Sequence, residues 1–264
     1  MPAEASKTSE GGAKDEPIYV FGTDHAGQHK SESALLAVTL HGAQAGKGSG
    51  ASGRAYAIPY RNSTGELLAL NVIENYVAPL LELAKHNPNH QFTIARFGCE
   101  AGAYEDAVMA ELFARAPRNC TLPGLWKRIL DATIPVRMIL FDPAANFKKT
   151  AWQRELKQHI DLNAPLWGTS TVDIVSVGAP RTLAANDAAA KTLGLKHRII
   201  GANEDRYGRN AAIAAEARAI WYSTHLLSVF DFDMTAQPSQ IRIVSAATRG
   251  GLTIHQVDTN QVQV

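Results

Sequence analysis

Short apolar segments alternate with helix-type segments along almost the whole chain. Runs such as VRMILF at 136–141 and HLLSVFDFD at 225–233 have the length and composition of buried strands. The segments between them place apolar residues three and four positions apart, most clearly LNVIENYVAPLLELAKHN at 70–87. Because parallel strands need crossover connections and helices usually supply them, this alternation predicts an α/β protein whose sheets are covered on both faces.

The length of 264 residues suits two domains of ordinary size. We predict a first α/β domain at 17–130 and a second at 134–264, joined by a connection at 121–135. The second domain carries five strands separated by helices, which predicts a parallel sheet. Residues 1–16 are small, polar and mixed in charge, so we expect a disordered tail there.

The composition narrows the classes of partner and cofactor. A formal net charge of +1 gives no overall field that would draw the chain to nucleic acid or to a membrane surface. No run approaches the roughly 20 apolar residues that a membrane span needs. Cys99 and Cys120 form neither a CxxC pair nor a Cys/His ligand pattern. We therefore expect a cytoplasmic protein with no membrane association, no metal and no cofactor.

Several local signals predict where elements begin and end. Ser31 and Gly42 have the residue types that cap the start and the end of a helix at 31–42. Pro59 is expected to stop the strand AYAIP, and Pro79 is expected to kink or break the helix at 70–87. Acidic residues in the first turn favour a helix at 104–116.

The first candidate ligand site follows the first predicted strand, in FGTDHAGQH at 21–29. Ligands of open parallel sheets collect beyond the carboxyl ends of the strands. Glycine amides in such a turn can approach a phosphate, an aspartate can accept from an adenine amine or a ribose hydroxyl, and a histidine can donate to phosphate. The alternative is an ordinary strand–helix loop. The candidate residues are Gly22, Thr23, Asp24, Gly27 and His29.

Two further glycine-rich segments lie in the same predicted domain. The loop at 42–54 lacks the GK[ST] ending of a P-loop, so it is either a lid or phosphate-facing loop, or a flexible linker. In FGCEAGAY at 97–104, Gly98 and Glu100 are candidate ligand residues, with Glu100 as a polar contact or general base. We interpret Cys99 as a small buried thiol rather than as a nucleophile.

The second predicted domain has two candidate loops. In SVGAPRTLAAN at 176–186, Gly178, Arg181 and the amides of a helix start are suited to hold a phosphate. In NEDRYGRN at 203–210, Arg206 and Tyr207 offer a cation and a stacking ring for a nucleotide. Charged helix-entry loops in contact with solvent are the alternative.

Two stretches of sequence resemble known families. FGTDHAGQHKSESA, GRAYAIPYR, FGCEAGAYED and APRNCTLPGLW follow one another in an order that resembles a family of phage and prophage non-structural proteins, with a layout similar to a macrodomain, the fold that binds ADP-ribose. VDIVSVGAPRTLAANDAAAKTLGL, ANEDRYGRNAA and HLLSVFDFD resemble the SLOG superfamily of Rossmann-like nucleotide-binding domains. The resemblance implies a macrodomain-like mixed sheet followed by a Rossmann-like parallel sheet.

The resemblance implies a protein that binds, or processes, a nucleotide-derived ligand such as ADP-ribose or an NAD-derived signal, in the host cytoplasm if it is phage-encoded. Four side chains stand where those families have glycine: Lys30, Glu32, Glu100 and Val177. A Cβ obstructs phosphate where the backbone must touch it, so no catalytic residue is carried over. The alternative is a non-enzymatic adaptor or assembly protein with a protein partner or a second copy of the chain, which reuses degenerate folds.

Overall fold

The computed structural model describes residues 16–100, 103–141, 149–168, 171–230 and 238–258. These residues confirm the α/β class, with one mixed sheet and one parallel sheet of five strands each. The chain divides into two compact units, of which the first is Met1–Gly98 with Leu112–Leu122 and the second is Cys99–Glu111 with Pro123–Val264. The domain limits of 17–130 and 134–264 stay a prediction, and residues 1–15 of the predicted tail lie outside the described residues.

From residue 16 onward, the first unit contains the mixed sheet and two helices. In chain order these are β1 (Ile18–Asp24), α1 (Glu32–His41), β2 (Gly50–Ser52), β3 (Ala55–Arg61), α2 (Leu70–His86), β4 (Phe92–Ile94) and β5 (Cys120–Thr121). The strand order is β2-β3-β1-β4-β5, with β2 antiparallel to β3 and the other neighbours parallel. The carboxyl ends of β1, β3 and β4 therefore lie along one edge of the sheet.

Helix α1 begins and ends where its sequence predicts. The Ser31 hydroxyl accepts a hydrogen bond from the Ala34 amide at 3.2 Å, and Gly42 ends the helix with φ 72°. Such an amino-terminal cap contributes about 1 kcal/mol, and only glycine takes up the left-handed closing conformation without strain. Both predictions are confirmed because capping depends on residues that are close in sequence.

Helix α2 is not broken at Pro79, since it runs from Leu70 to His86, and the alternative of a kink there stays a prediction. Its buried residues keep the helical spacing on both sides of the proline: Ile73, Val77, Leu80 and Ala84. Pro79 itself lies on the exposed face. Burial of this stripe at roughly 1.5–3 kcal/mol for each large apolar side chain outweighs the cost of about 3 kcal/mol for an internal proline.

The strand β3 does not stop at Pro59 as predicted, but continues to Arg61. Its antiparallel pairing with β2 ends at Ala57, so at Pro59 the missing N–H removes no hydrogen bond to that neighbour. On the other side of β3, Thr23 of β1 is the register partner of Pro59, and the register shifts directly afterwards. A proline is tolerated at such an irregular point.

Among the described residues, the second unit contains the parallel sheet, seven α-helices and one short 3-10 helix (Gly208–Asn210). Its elements are α3 (Asp106–Glu111), α4 (Gly124–Leu130), β6 (Val136–Phe141), α5 (Lys149–Trp167), β7 (Val172–Ser176), α6 (Pro180–Thr192), β8 (Lys196–Ile199), α7 (Glu204–Tyr207), α8 (Ala211–Tyr222), β9 (His225–Phe230), α9 (Pro238–Arg249) and β10 (Thr253–Asp258). The order β10-β9-β6-β7-β8, parallel throughout, confirms the predicted five-stranded parallel sheet. Within the described part of the chain, no helix is long and apolar enough to cross a bilayer.

Two predictions for the stretch of sequence from 104 to 135 are wrong. The helix expected at 104–116 covers only Asp106–Glu111, because the residues from Leu112 onward belong to the first unit, where Phe113 is buried. The expected connection at 121–135 contains helix α4 instead. Trp126 of α4 is fully buried and donates its indole N–H to Asp106 at 2.7 Å, so burial of this large ring favours the helix.

Candidate functional site

The loop after β1 binds its own backbone rather than leaving its amides open. Gly22 lies inside β1, not in the turn as predicted, and a Cβ there would come within 2.4 Å of the Phe97 Cβ. Asp24 organises the turn, because its carbonyl accepts from the Gly27 amide at 3.1 Å and its carboxylate accepts from the Gln28 amide at 3.0 Å. The predicted phosphate contact through the Gly27 amide would therefore have to replace an existing bond.

His29 is a buried structural residue of the same loop. A carbonyl oxygen only accepts, so Nε2 carries the proton and donates to the Gln44 carbonyl at 2.8 Å. Nδ1 is then left to accept from the Thr23 hydroxyl at 2.9 Å, and that hydroxyl is buried as well. Both ring nitrogens thus have protein partners, and donation from His29 or Thr23 to a phosphate would require breaking one of these bonds.

The glycine-rich loop at 42–54 packs against the Asp24 turn and contains strand β2, which does not favour the prediction of a plain linker. The Gly46 amide donates to the Gly27 carbonyl at 3.0 Å. A Cβ on Gly48 would lie 2.2 Å from the His25 carbonyl oxygen, and one on Gly27 would lie 2.5 Å from the Lys47 nitrogen. Glycine at these positions therefore allows two backbone segments to touch. This close packing explains why glycines occur here, with no need of a bound phosphate.

The side chains at this edge of the first sheet form an exposed polar group. The His25 ring nitrogen Nε2 is 3.1 Å from the Tyr76 hydroxyl of α2, and the two rings meet edge to face. Arg61 donates to the Gly65 carbonyl at 2.8 Å and lies over the Tyr60 ring. Tyr76 was not found from the sequence, because it belongs to the polar side of a helix pattern.

The segment after β4 carries the candidates Gly98 and Glu100. Gly98 has φ 72°, a conformation that requires glycine or strain, and Glu100 is exposed. Glu100 therefore does not fill a hollow, and its carbonyl accepts from the Ala103 amide at 2.8 Å. Cys99 is half-buried, whereas Cys120 is the buried thiol, and burial raises its pKa to about 11.

At the carboxyl edge of the parallel sheet, the loop after β7 is open. Gly178 is exposed with φ 115°, and no described atom lies within 4 Å of the position that a Cβ would take. Helix α6 starts directly afterwards, at Pro180. Among the described residues, no side chain caps the amino terminus of this helix. Val177, the departure from the family pattern, is packed in the core and does not cover this loop. Arg181 lies in the first turn of α6.

The loop after β8 places the other two candidates at the same edge. Asn203 caps α7 by accepting from the Arg206 amide at 2.9 Å. The Arg206 guanidinium lies 4.9 Å from the centre of the Tyr207 ring, so the predicted cation and stacking ring contact each other. Arg206 is exposed and Tyr207 is half-buried.

A buried polar network beneath α6 was missed from the sequence. His197 of β8 donates from Nδ1 to the Asp187 carboxylate at 3.1 Å, which leaves Nε2 to accept from the Ser176 hydroxyl at 2.9 Å. The same hydroxyl accepts from the Asn186 amide at 3.0 Å. These partners match a Ser-His-Asp relay, but Ser176 is 0% exposed, so the network joins β7 and β8 to α6 and presents no accessible nucleophile. Lys191, and then His197, lower the pKa of Asp187 through hydrogen bonds.

Three histidines meet at the opposite, amino end of the same sheet. His255 lies 4.4 Å from His159 and 5.5 Å from His225, measured between ring centres, and Trp167 packs beside them. Burial first, and the charge of His255 next, lower the pKa of both His159 and His225 from 6.5 to about 4. In the described ranges, no three histidine, cysteine or acidic residues are arranged to hold a metal ion, these imidazoles included.

Comparison with protein-family models, with curated proteins and with solved structures found no match in any of the three. The resemblance to phage non-structural proteins, to macrodomains and to the SLOG superfamily therefore stays a prediction. A function for this protein is therefore argued from the geometry of the loops at the carboxyl edges of the two sheets.

Proposed function

We propose that the second unit binds a phosphate-bearing, nucleotide-derived small molecule, such as ADP-ribose or an NAD-derived signal. The observation that carries the proposal is the loop after β7, where the exposed Gly178 leads straight into the uncapped start of α6. The first amides of a helix have no acceptor within the helix, and the helix dipole favours an anion there. A phosphate can approach closely because glycine adds no side chain.

The strand order also favours a ligand site at the carboxyl edge of the parallel sheet. From β6 the chain proceeds outward through β7 to β8, and then returns to add β9 and β10 on the other side of β6. In open α/β sheets, ligands bind beyond the carboxyl ends of the strands, near the point where the order reverses. The Gly178 loop follows β7, a direct neighbour of β6. Arg206 and Tyr207 follow β8, so they supply a cation and an aromatic ring at that edge.

The first unit supports the proposal less well. In its Asp24 turn, the Gly27, Gln28 and Gly46 amides already donate to acceptors within the protein. A ligand there would exchange one hydrogen bond for another and gain little net free energy. We therefore assign the ligand to the second unit, with the candidates Gly178, Arg181, Arg206 and Tyr207.

The test is a binding measurement with a matched pair of glycine variants. Calorimetry and thermal unfolding are run with ADP-ribose, NAD and cyclic nucleotides, each added to the intact protein and to Gly178→Ala and Gly194→Ala. Both glycines have positive φ, 115° and 67°, and open surroundings, but Gly194 lies beyond the far end of α6. The two variants thus carry backbone strain of the same kind, and only Gly178→Ala places a methyl group at the proposed site.

A ligand present at about 100 times its dissociation constant should stabilise the protein by roughly 2.7 kcal/mol. We expect that stabilisation for the intact protein and for Gly194→Ala, and a clear loss for Gly178→Ala. Equal binding by the two variants would remove the Gly178 loop from the site. Absence of stabilisation with every nucleotide would reject the proposal.

The non-enzymatic adaptor is the second candidate function. Leu162 and Leu166, one turn apart on α5, are 67% and 83% exposed, and adjacent exposed apolar side chains are typical of protein contacts. Changing both leucines to glutamate should abolish recovery of a partner from a cell extract, whereas glutamate at Ile241, exposed on α9, should not. Recovery that is equal in all three proteins would remove this surface as the contact.

A further inference from the structure

A cluster of cations surrounds one tyrosine ring at the amino end of the parallel sheet, away from the Gly178 loop. Arg137 is the second residue of β6, Arg198 lies on β8, and Tyr222 is the last residue of α8. Lys127 of α4 is close enough for the charge of Arg137 to act on it. We call these four residues the Tyr222 cluster. The proposed nucleotide loop uses none of them.

Both guanidinium groups of the Tyr222 cluster pack on the same ring. The central carbon of Arg137 lies 4.2 Å from the ring centre, and that of Arg198 lies 4.6 Å from it. Cation–π contacts hold the planar groups in position but leave the N–H donors in the guanidinium plane available. The two guanidinium groups are therefore both held at one tyrosine ring.

One donor of these cations has no acceptor in the described part of the protein. The Nε atom of Arg137 is buried from solvent and has no hydrogen-bond partner there. Buried donors usually have a partner, and an unsatisfied one on a charged group costs on the order of 1–3 kcal/mol or more. Arg137 is half-buried, so water reaches only part of this side chain. An anion bound to the guanidinium would offset part of this cost.

The charge around the Tyr222 cluster is unbalanced. The register places Asp173 of β7 between Arg137 of β6 and Lys196 of β8, so one carboxylate has two cations as its neighbours. One oxygen of Asp173 is itself buried without a hydrogen bond among the described residues. Burial, and then the positive charge of Arg137, lower the pKa of Lys127, which shows that the cations oppose one another.

We propose that the Tyr222 cluster is a binding site for a phosphate group, held by the forked donors of Arg137 and Arg198 with Lys127 adding charge. Arginine forks match the oxygen spacing of phosphate, and charge-assisted bonds of this kind are the strong ones. Free inorganic phosphate and a phosphomonoester present the same oxygens. The ligand would relieve the repulsion among the cations.

The test measures phosphate binding to the full chain by calorimetry and by thermal unfolding. Inorganic phosphate and glycerol phosphate are compared with sodium chloride at equal ionic strength, because chloride screens charge without matching the forked donors. The variants are Arg137→Gln, Arg198→Gln and, as a control, Arg115→Gln, which removes one positive charge from an exposed position in the first unit. Arg198 is exposed, so its variant keeps the fold even if the Arg137 variant does not.

We expect phosphate to raise the melting temperature more than chloride does, and affinity to fall roughly tenfold or more in the Arg198 variant but not in the Arg115 variant. Tighter binding of glycerol phosphate than of inorganic phosphate would identify a phosphomonoester as the ligand, and the reverse would identify free phosphate. Equal effects of phosphate and chloride, or equal affinity in the Arg198 and Arg115 variants, would overturn the proposal. Gly178→Ala should leave phosphate binding at this cluster unchanged, which separates this site from the nucleotide site.

Discussion

The three facing histidines predict that the second unit loses stability in mild acid. The imidazoles of His159 and His225 have a pKa of about 4 in the folded protein, against 6.5 in an unfolded chain. Between these values the unfolded chain binds more protons than the folded one, so the free energy of unfolding falls as the pH drops from about 6.5 and levels off near 4. Above pH 6.5 the histidines add no pH dependence.

The size of the effect follows from the same values. For the buried His225, a pKa of about 4 in place of 6.5 corresponds to at most roughly 3 kcal/mol, since each pKa unit is worth about 1.4 kcal/mol. The contribution of the more exposed His159 is smaller because solvent screens its charge. The slope of the free energy against pH should show an uptake of one to two protons on unfolding. A loss of this size is a large part of the roughly 5–15 kcal/mol that stabilises an ordinary domain.

The assay is urea unfolding followed by tryptophan emission at several pH values. All four tryptophans lie in the second unit, so emission reports on that unit alone: Trp126, Trp152, Trp167 and Trp221. His159→Gln removes one of the titrating groups and should reduce the acid-dependent loss of stability. His86→Gln, a change at a side chain 74% exposed, is the matched control and should follow the unchanged protein. Parallel pH curves for all three proteins would refute the reasoning.

Three changes in the first unit test its packing. Leu80→Ala should cost about 2–5 kcal/mol in urea unfolding, while Leu83→Ala, at a residue 38% exposed, should cost less than about 1 kcal/mol, and equal losses would contradict the assigned core face. Gly22→Ala should destabilise because its Cβ meets Phe97, and adding Phe97→Ala should recover part of that loss in a double-mutant cycle; strictly additive losses would disprove the clash. Asn119→Ala should cost about 1–3 kcal/mol in thermal unfolding, since the two N–H donors of the buried amide are shared among three main-chain carbonyls within hydrogen-bond distance, and an unchanged melting temperature would contradict this role.

The parts of the fold that the sequence predicts well depend on neighbouring residues. The caps Ser31 and Gly42, the buried stripe of α2 and the parallel sheet of the second unit all follow from local chemistry or from short-range periodicity. The parts that were missed depend on distant residues. Strand β2 forms by pairing with β3, and α4 is favoured by burial of Trp126, neither of which is visible in a local window.

The candidate site shows the same division. The sequence predicts which loops follow strands, so it places Gly178, Arg206 and Tyr207 at one edge of a sheet. It does not show that the His29 nitrogens are already bonded, because Gln44 is 15 residues away. The Tyr222 cluster had one detectable signal in the sequence. Arg137 in VRMILF, like its neighbour Asp173 in VDIVSVG, is a charged residue at the second position of an otherwise apolar run.

The order in which the strands of the second unit are added also has a consequence for synthesis on the ribosome. The central strand β6 acquires β7 as a neighbour early, but β9, its partner on the other side, is translated more than eighty residues later. During that interval the nascent chain presents an unpaired, strongly apolar edge, a situation that favours mispairing between chains. Slow translation between these strands, or low chaperone capacity, should therefore lower the yield of folded protein.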